Sequence, residues 1–281
     1  MTHVQTHHHN HDTDQADYLA LEAAVLAEQT AAIVDWLPLR TSPRHIVDLG
    51  SGTGAGTLAI LRRFPEAQVI AVDVSAAHLQ RLREEAQVRG VDDRIRTVQA
   101  DLDHSAWPSL GTPDLVWASA SLHHMARPED ALRTVRGVLA PDGLLALVEL
   151  AAFPRFLPED GPEDRPGLEE RCHEVGDRLR AERLPHLGAD WGSTLAAAGF
   201  TVEGERTVAV KVEGSQNEAV GAFALASMQR LRHSLEGSLD PDDLAAVDRL
   251  LDADSPGYLL HRDDLTVRAE RTVWAARPAA G

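Results

Sequence analysis

The first half of the chain alternates short apolar runs with helical patterns. His45–Leu49 (HIVDL), Gln68–Asp73 (QVIAVD), Ile95–Ala100 (IRTVQA), Asp114–Ala118 (DLVWA) and Gly143–Leu150 (GLLALVEL) have the texture of strands buried in a parallel sheet. The stretches at about 55–64, 76–89 and 128–139 repeat apolar residues at helical spacing. Strands separated by helical crossovers predict right-handed βαβ units. The fold class expected is α/β: a doubly wound, Rossmann-like, mostly parallel seven-stranded sheet. Helices should cover both faces, with a helical cap over the C-terminal edge. Pro141-Asp142-Gly143 marks a turn before the fifth strand.

The flanks read differently. Residues 1–14 are polar, carry His3, His7, His8, His9 and His11, and read as a disordered tail. Residues 15–40 hold Leu19, Val25, Leu26, Ile33, Trp36 and Leu37 near helical spacing up to Pro38, which predicts one lid helix. Residues 41–150 form the Rossmann-like core. Past Leu150, Pro154, Pro158, Pro162 and Pro166 among acids indicate a loop. Leu168, Cys172, Val175 and Leu179 then make one helical stripe, on which Cys172 packs. A short helix at about 189–198, a strand at Thr207–Val212, helices at about 216–235 and 241–252, and a strand at Leu265–Ala275 follow. Segments 151–190 and 213–262 are expected to cap the open edge and form a substrate pocket. Segments 191–212 and 263–281 should complete the sheet.

Composition narrows the partners. The 281 residues have 44 acidic against 27 basic side chains, a formal charge of −17, and 43% hydrophobic residues. Such a chain has enough apolar content for a core, and its field repels phosphate backbones. No nucleic acid is expected as a partner, and none of the apolar runs has the length of a membrane span. Lys211 is the only lysine, which reads as genome composition. Cys172 is the only cysteine, so there is no internal disulfide or cysteine zinc site, and no metal is expected. With no basic-then-apolar leader pattern, a cytoplasmic location is the expectation.

The chemistry gathers at Val47-Asp48-Leu49-Gly50-Ser51-Gly52-Thr53-Gly54, a strand running into a glycine-rich turn and then a helix. Glycines let backbone approach a ligand, and a helix N-terminus offers unpaired N–H groups. Asp48 lies just before the turn. Asp73 ends the second strand at about the 20-residue distance from which an acid meets a ribose diol. Asp101 follows the third strand. Three strand ends thus present carboxylates on one edge of the sheet, where open α/β sheets bind ligands.

These residues resemble class I S-adenosylmethionine-dependent methyltransferases. VDLGSGTG is similar to the family's first motif, and AVDVS, QADLD, SASLHHM and LAPDG agree with its later pieces. The resemblance, which covers about 45–150, implies S-adenosylmethionine as cofactor and S-adenosylhomocysteine as product. It implies that Gly50, Ser51, Gly52 and Gly54 lie along the methionine part and that Asp48 helps hold the ammonium group. Asp73 would take the ribose hydroxyls, and Val74 the adenine face. Asp101 would accept from the adenine amino group, with Leu102 beside the ring and Ala118 and Ser119 near the methionine moiety. Tyr18, in the leading helix, either closes over the cofactor or simply packs. A cationic cofactor also favours carboxylates in its pocket.

His123 and His124 follow the fourth strand at the same edge and either take a proton from the acceptor or shape the pocket. Glu149, ending the fifth strand, is a further substrate-side group. His173, His186, His233 and His261 read as surface residues. The implied substrate is a small molecule, neutral or cationic given the acidic balance. Three readings stand: methyl transfer; a fold relative that binds the cofactor for cyclisation, decarboxylation or regulation; and a nicotinamide oxidoreductase, against which Asp48 and Asp101 argue.

Overall fold

The computed structural model describes residues 3–104 and 106–279. Its centre is a seven-stranded sheet in the order β3-β2-β1-β4-β5-β7-β6. The five parallel strands are β1 (His45–Leu49), β2 (Gln68–Asp73), β3 (Ile95–Gln99), β4 (Leu115–Ser119) and β5 (Leu144–Leu150). Two long antiparallel strands, β6 (Phe200–Glu213) and β7 (Thr266–Pro278), complete the edge beyond β5. Val47 pairs with Ile70 on one side and Val116 on the other, so β1 is the middle one of the five parallel strands. The chain winds outward from β1 to β3 and then returns to β4 on the other side of β1. That reversal opens a crevice at the C-terminal ends of β1 and β4.

Helices cover both faces, as the periodicity predicts. On one face lie α5 (Pro128–Val138) and α7 (Trp191–Ala197), whose Leu132, Val135, Trp191 and Leu195 pack on Val47, Val116, Leu145 and Leu147. On the other lie α2 (Ala27–Trp36) and α3 (Ala55–Arg63), whose Ile33, Val34, Ile60 and Leu61 meet Ile46, Val69, Leu115 and Trp117. α4 (Ala76–Val88) packs on the β2–β3 side and starts with Ser75 accepting from the His78 N–H, an N-cap bond.

A third core lies above the C-terminal edge. It joins α6 (Leu168–Arg180), α8 (Ala219–Ser234) and α9 (Pro241–Leu251) through Leu168, Cys172, Phe223, Met228, Val247 and Leu250. Phe156 meets Phe223 edge-on at 5.3 Å. This cap is a packed unit. Asp243, at the start of α9, fixes its loop by accepting from Arg165 and from both Nε and Nη2 of Arg171. Those arginines hold its carboxyl down to about 2. The lowered value stabilises the fold above the usual carboxylate range, and the gain disappears as pH falls toward 2. Asp243→Asn should therefore lower stability by about 1 kcal/mol at pH 7, after solvent screening, and by nothing near pH 2, read by thermal denaturation.

Three expectations are corrected. The leading segment is two helices, not one: α1 (His3–Val25) and α2 meet at Leu26. Helical bonds Leu26 N–H to Glu22 and Thr30 N–H to Leu26 run through the junction. It is a bend that sends Val25 and Leu26 into the cap core and Ile33 and Val34 onto the sheet. The expected disordered tail is helical backbone from His3, residues 1 and 2 lying outside the described residues. No glycine or proline interrupts it, and a helix anchored at one end extends at one hydrogen bond per residue. β6 also begins at Phe200, well before Thr207. Its first half faces solvent on the sheet edge, with a register shift between Val202 and Gly204, so it lacks an apolar pattern.

Candidate active site

The glycine turn links β1 to α3, and its three glycines have positive φ: 66° at Gly50, 52° at Gly52 and 93° at Gly54. Their surroundings differ. A Cβ at Gly50 would stand 2.5 Å from the Ser121 Cβ, and one at Gly54 would stand 2.1 Å from Leu82. At Gly52 the only neighbour is Leu19, at 3.4 Å. Gly50 and Gly54 therefore serve packing, while Gly52 borders open space beneath α1.

That space is a cavity of about 400 Å3 along the C-terminal ends of β1, β2 and β4. Asp48, Gly50, Ser51, Gly52, Asp73, Val74, Asp101, Leu102 and Ser119 all line it. Three expected residues do not. Gly54 is turned against Leu82, Ala118 is buried within β4, and Tyr18 borders a different cavity. Ala120, at φ 51°, takes the place expected of Ala118. From α1 it is Leu19, one residue beyond Tyr18, that closes over the glycine turn.

The carboxylates fall into distinct environments. Asp48 is 2% exposed and accepts a single side-chain bond, from the Thr57 hydroxyl at 2.6 Å. Burial, opposed by Thr57 and reinforced by Asp73, pushes it up to about 7. Burial also raises Asp73, but bonds from His78, Ser75 and Gly52 outweigh it and hold its pKa below the ordinary range. The Gly52 N–H donates to Asp73 at 2.8 Å, which ties the turn to the second strand. Asp101 is half exposed on the cavity wall and accepts from the Asp103 N–H.

Three residues lining this cavity carry buried polar atoms without partners: the Ser51 Oγ, the His78 Nε2 and the Trp117 Nε1. His78 escapes sequence reading because it sits inside α4. Its position, one turn beyond the helix start and next in space to a strand-end acid, is the signal that points to it. Asp103 is likewise unforeseen. Its carboxylate accepts from the Ala126 N–H and bridges the loops after β3 and β4.

A second cavity of about 370 Å3 lies between α1, α6, α8 and the β7 edge. It meets the first at Leu19, Glu22, Ala120, His124 and Arg271, which border both. Tyr18 lines it, 5.4 Å from Phe223 and under the Arg230 guanidinium at 4.5 Å. Burial pushes the Tyr18 phenol up to about 12, so it stays protonated.

The two histidines diverge. His123 is 3% exposed and its Nδ1 lies 2.5 Å from Glu149, whose other oxygen accepts from the Leu122 and His123 N–H groups. Glu149 borders neither cavity, and its carboxylate is consumed in holding the 122–124 turn. His124 projects at the junction, and burial followed by the nearby His123 pushes its pKa below the ordinary range. Of the three candidates only His124 reaches both cavities.

Residues 46–143 match the family model of a methyltransferase domain. Over 181 residues the chain is 36% identical to the malonyl-acyl-carrier protein O-methyltransferase of Halorhodospira halophila, covering 64% of this chain and 56% of that one. It is 38% identical over 139 residues to the trans-aconitate 2-methyltransferase of Acidovorax ebreus, 49% of each chain. The chain thus spans about half the length of the curated relatives it matches first. The match to the 27-O-demethylrifamycin SV methyltransferase of Amycolatopsis mediterranei is 28% identical and covers 85% of each. The same fold occurs in a methyltransferase-like protein of Bacillus halodurans (TM-score 0.57, 16% identity, 90% of this chain and 100% of that one). It occurs also in the 4+2 cyclase SpnF (TM-score 0.53, 21% identity, 91% and 82%).

The segment that bears the glycine turn and its acids is thus similar to methyltransferase domains, a resemblance that implies S-adenosylmethionine as the cofactor. The residues present suit it. A buried acid with one donor and a pKa near neutrality is completed by a cation, and orphaned Ser51 and His78 atoms await polar groups.

Proposed function

We propose that this protein transfers a methyl group from S-adenosylmethionine to a nucleophile of a small, neutral or cationic molecule, releasing S-adenosylhomocysteine. The observation that carries this reading is the meeting of two cavities at Ala120 and His124, over the strand ends that bear Asp48 and Asp73. When bound, S-adenosylmethionine supplies an electrophilic methyl group on a sulfonium. The residues of the chain bind, align and dehydrate. Asp48 neutralises the ammonium group, Asp73 accepts from the ribose, Val74 and Leu102 flank the base, and Asp101 accepts from its amino group. Leu19 and Leu26 from the leading helices shut out water.

His124 is the group placed to take the proton of an acceptor hydroxyl, because its lowered pKa keeps the imidazole neutral at pH 7. His123 and Glu149 are positioning residues that hold its turn. Alignment of acceptor and methyl group supplies most of the acceleration in an in-line displacement. The charge of the second cavity suits an uncharged substrate: Glu22 pairs Arg271 there, and the Glu169 carboxylate takes the Phe156 and Leu157 N–H groups. The cyclase that shares the fold keeps other chemistry in view as the second reading.

Calorimetry tests the cofactor part: S-adenosylhomocysteine should bind in the micromolar range and NAD should not, and binding of NAD alone would refute the reading. A native-metabolite screen then tests turnover. With an accepted hydroxyl substrate and saturating S-adenosylmethionine, kcat/KM for that substrate should fall only below about pH 6.5. An acid limb well above that value would remove His124 from the role.

A further inference from the structure

The second cavity has one wall that methyl transfer leaves without a task. α6 turns Glu169, His173 and Arg180 toward it. His173, which the sequence suggests is a surface residue, is only 5% exposed, and its Nδ1 has no hydrogen-bond partner. The buried Nε of Arg180 has none either. A buried polar atom without a hydrogen bond is costly, so two on one wall mark a place completed by something else.

Gly176 explains how the guanidinium reaches this wall. A Cβ there would lie 2.9 Å from the Arg180 Nη1 and 3.1 Å from Nη2. The arginine is therefore folded back along the helix over position 176, toward the turn that carries His173. Glycine inside a helix is destabilising relative to alanine, and here it leaves the guanidinium its bed. The guanidinium also stacks on Phe153 at 4.5 Å and donates from Nη2 to Asp177, which neutralises it while leaving Nε free.

The wall offers hydrogen bonds without net charge. Burial, with Arg155 and Arg180 nearby, pushes His173 down to about 3, so it is neutral. Arg155 is paired with Glu170, and Glu169 is held by backbone N–H groups with Arg268 at 4.0 Å. An Nε–H can only donate. The matching ligand atom is an acceptor oxygen of an uncharged group. The remaining walls set apolar and aromatic side chains, among them Tyr18, Phe156, Phe223 and Met228, beside polar ones in which Glu22 pairs with Arg271. A volume of about 370 Å3 falls in the range that encloses a drug-sized ligand.

We infer that His173 and Arg180 hold a carbonyl oxygen of the substrate against α6, and that the substrate is a largely apolar, uncharged ring compound bearing that carbonyl and a hydroxyl. The inference rests on the methyl-transfer reading for the hydroxyl alone.

The test is calorimetric titration of the protein loaded with S-adenosylhomocysteine, using 2-naphthol, 6-acetyl-2-naphthol and 6-hydroxy-2-naphthoate. The acetyl compound should bind about ten-fold tighter than 2-naphthol, one added buried hydrogen-bond set, and the carboxylate no tighter than 2-naphthol. Gly176→Ala should keep or raise its melting temperature and keep its S-adenosylhomocysteine affinity, yet lose that preference, since the new Cβ displaces the guanidinium. His173→Leu should lose it as well. Equal affinities for the two uncharged naphthols, a preference for the carboxylate, or a preference that survives both substitutions would overturn the inference. So would failure of every naphthol to bind. In that case intact S-adenosylhomocysteine binding leaves the methyl-transfer reading standing.

Discussion

Asp48→Asn should weaken S-adenosylhomocysteine binding about 100-fold at pH 8 while making the ligand-free protein more stable. Both effects come from one buried carboxylate. With its pKa raised to about 7 in the fold against about 3.9 when unfolded, the folded state prefers the protonated acid. A raised carboxylate pKa leaves stability intact below the unfolded value and removes it as pH rises to about 7. Ionised Asp48 at pH 8 thus costs the free protein on the order of a few kcal/mol. Asparagine is nearly the same shape, can still accept from Thr57 and carries no such cost. The melting-temperature gain of the variant should therefore grow between pH 4 and 7 and level off above. The ammonium group of the ligand removes the same cost in the wild type, and the variant forgoes that buried ion pair, a loss of about 3 kcal/mol or more. Wild-type affinity should rise with pH through 7 and that of the variant should not. Unchanged affinity on calorimetry would withdraw Asp48 from the cofactor site.

The second large effect separates two glycines of the same turn. Gly54→Ala should cost about 3–4 kcal/mol of stability, a fall of about 10 °C in melting temperature. An alanine at φ 93° is strained, and its Cβ would fall 2.1 Å from Leu82, which is fully buried and has nowhere to move. Gly52→Ala should cost only the backbone strain, about 1–2 kcal/mol, because its Cβ meets Leu19 alone. Its loss should appear in ligand affinity, since the methyl group occupies the cavity. Thermal denaturation and S-adenosylhomocysteine titration on both variants decide it. Equal stability losses, or full affinity in Gly52→Ala, would show that the turn is not divided in this way.

The turn itself was legible because its chemistry is local. Glycines in a row after VDL, an acid before them and another at the end of the next strand need only one βαβ unit to come together. Asp48, Asp73, Val74, Asp101 and Leu102 accordingly fall on one cavity wall. Tyr18 and Leu19 show the limit: they are chain neighbours on one helix, and a rotation of about 100° separates the residue that closes the glycine turn from the one that faces α8. His123 and Glu149 show another. Both stand at the reacting edge, as the strand ends require, but their pairing spends them on each other.

By itself the sequence determined the five parallel strands, the glycine turn and the acids of the cofactor cavity, since each follows from period, turn chemistry and short spacing. Tertiary structure alone decided the second cavity. Its walls come from α1, the loop after β5, α6, α8 and β7, and helices so far apart in sequence take their facing from the core they share. A stripe of Leu168, Cys172 and Val175 could be read along α6. That the adjoining stripe, with His173 and Arg180 over Gly176, faces a cavity and not solvent depended on where Phe223 and Phe156 packed.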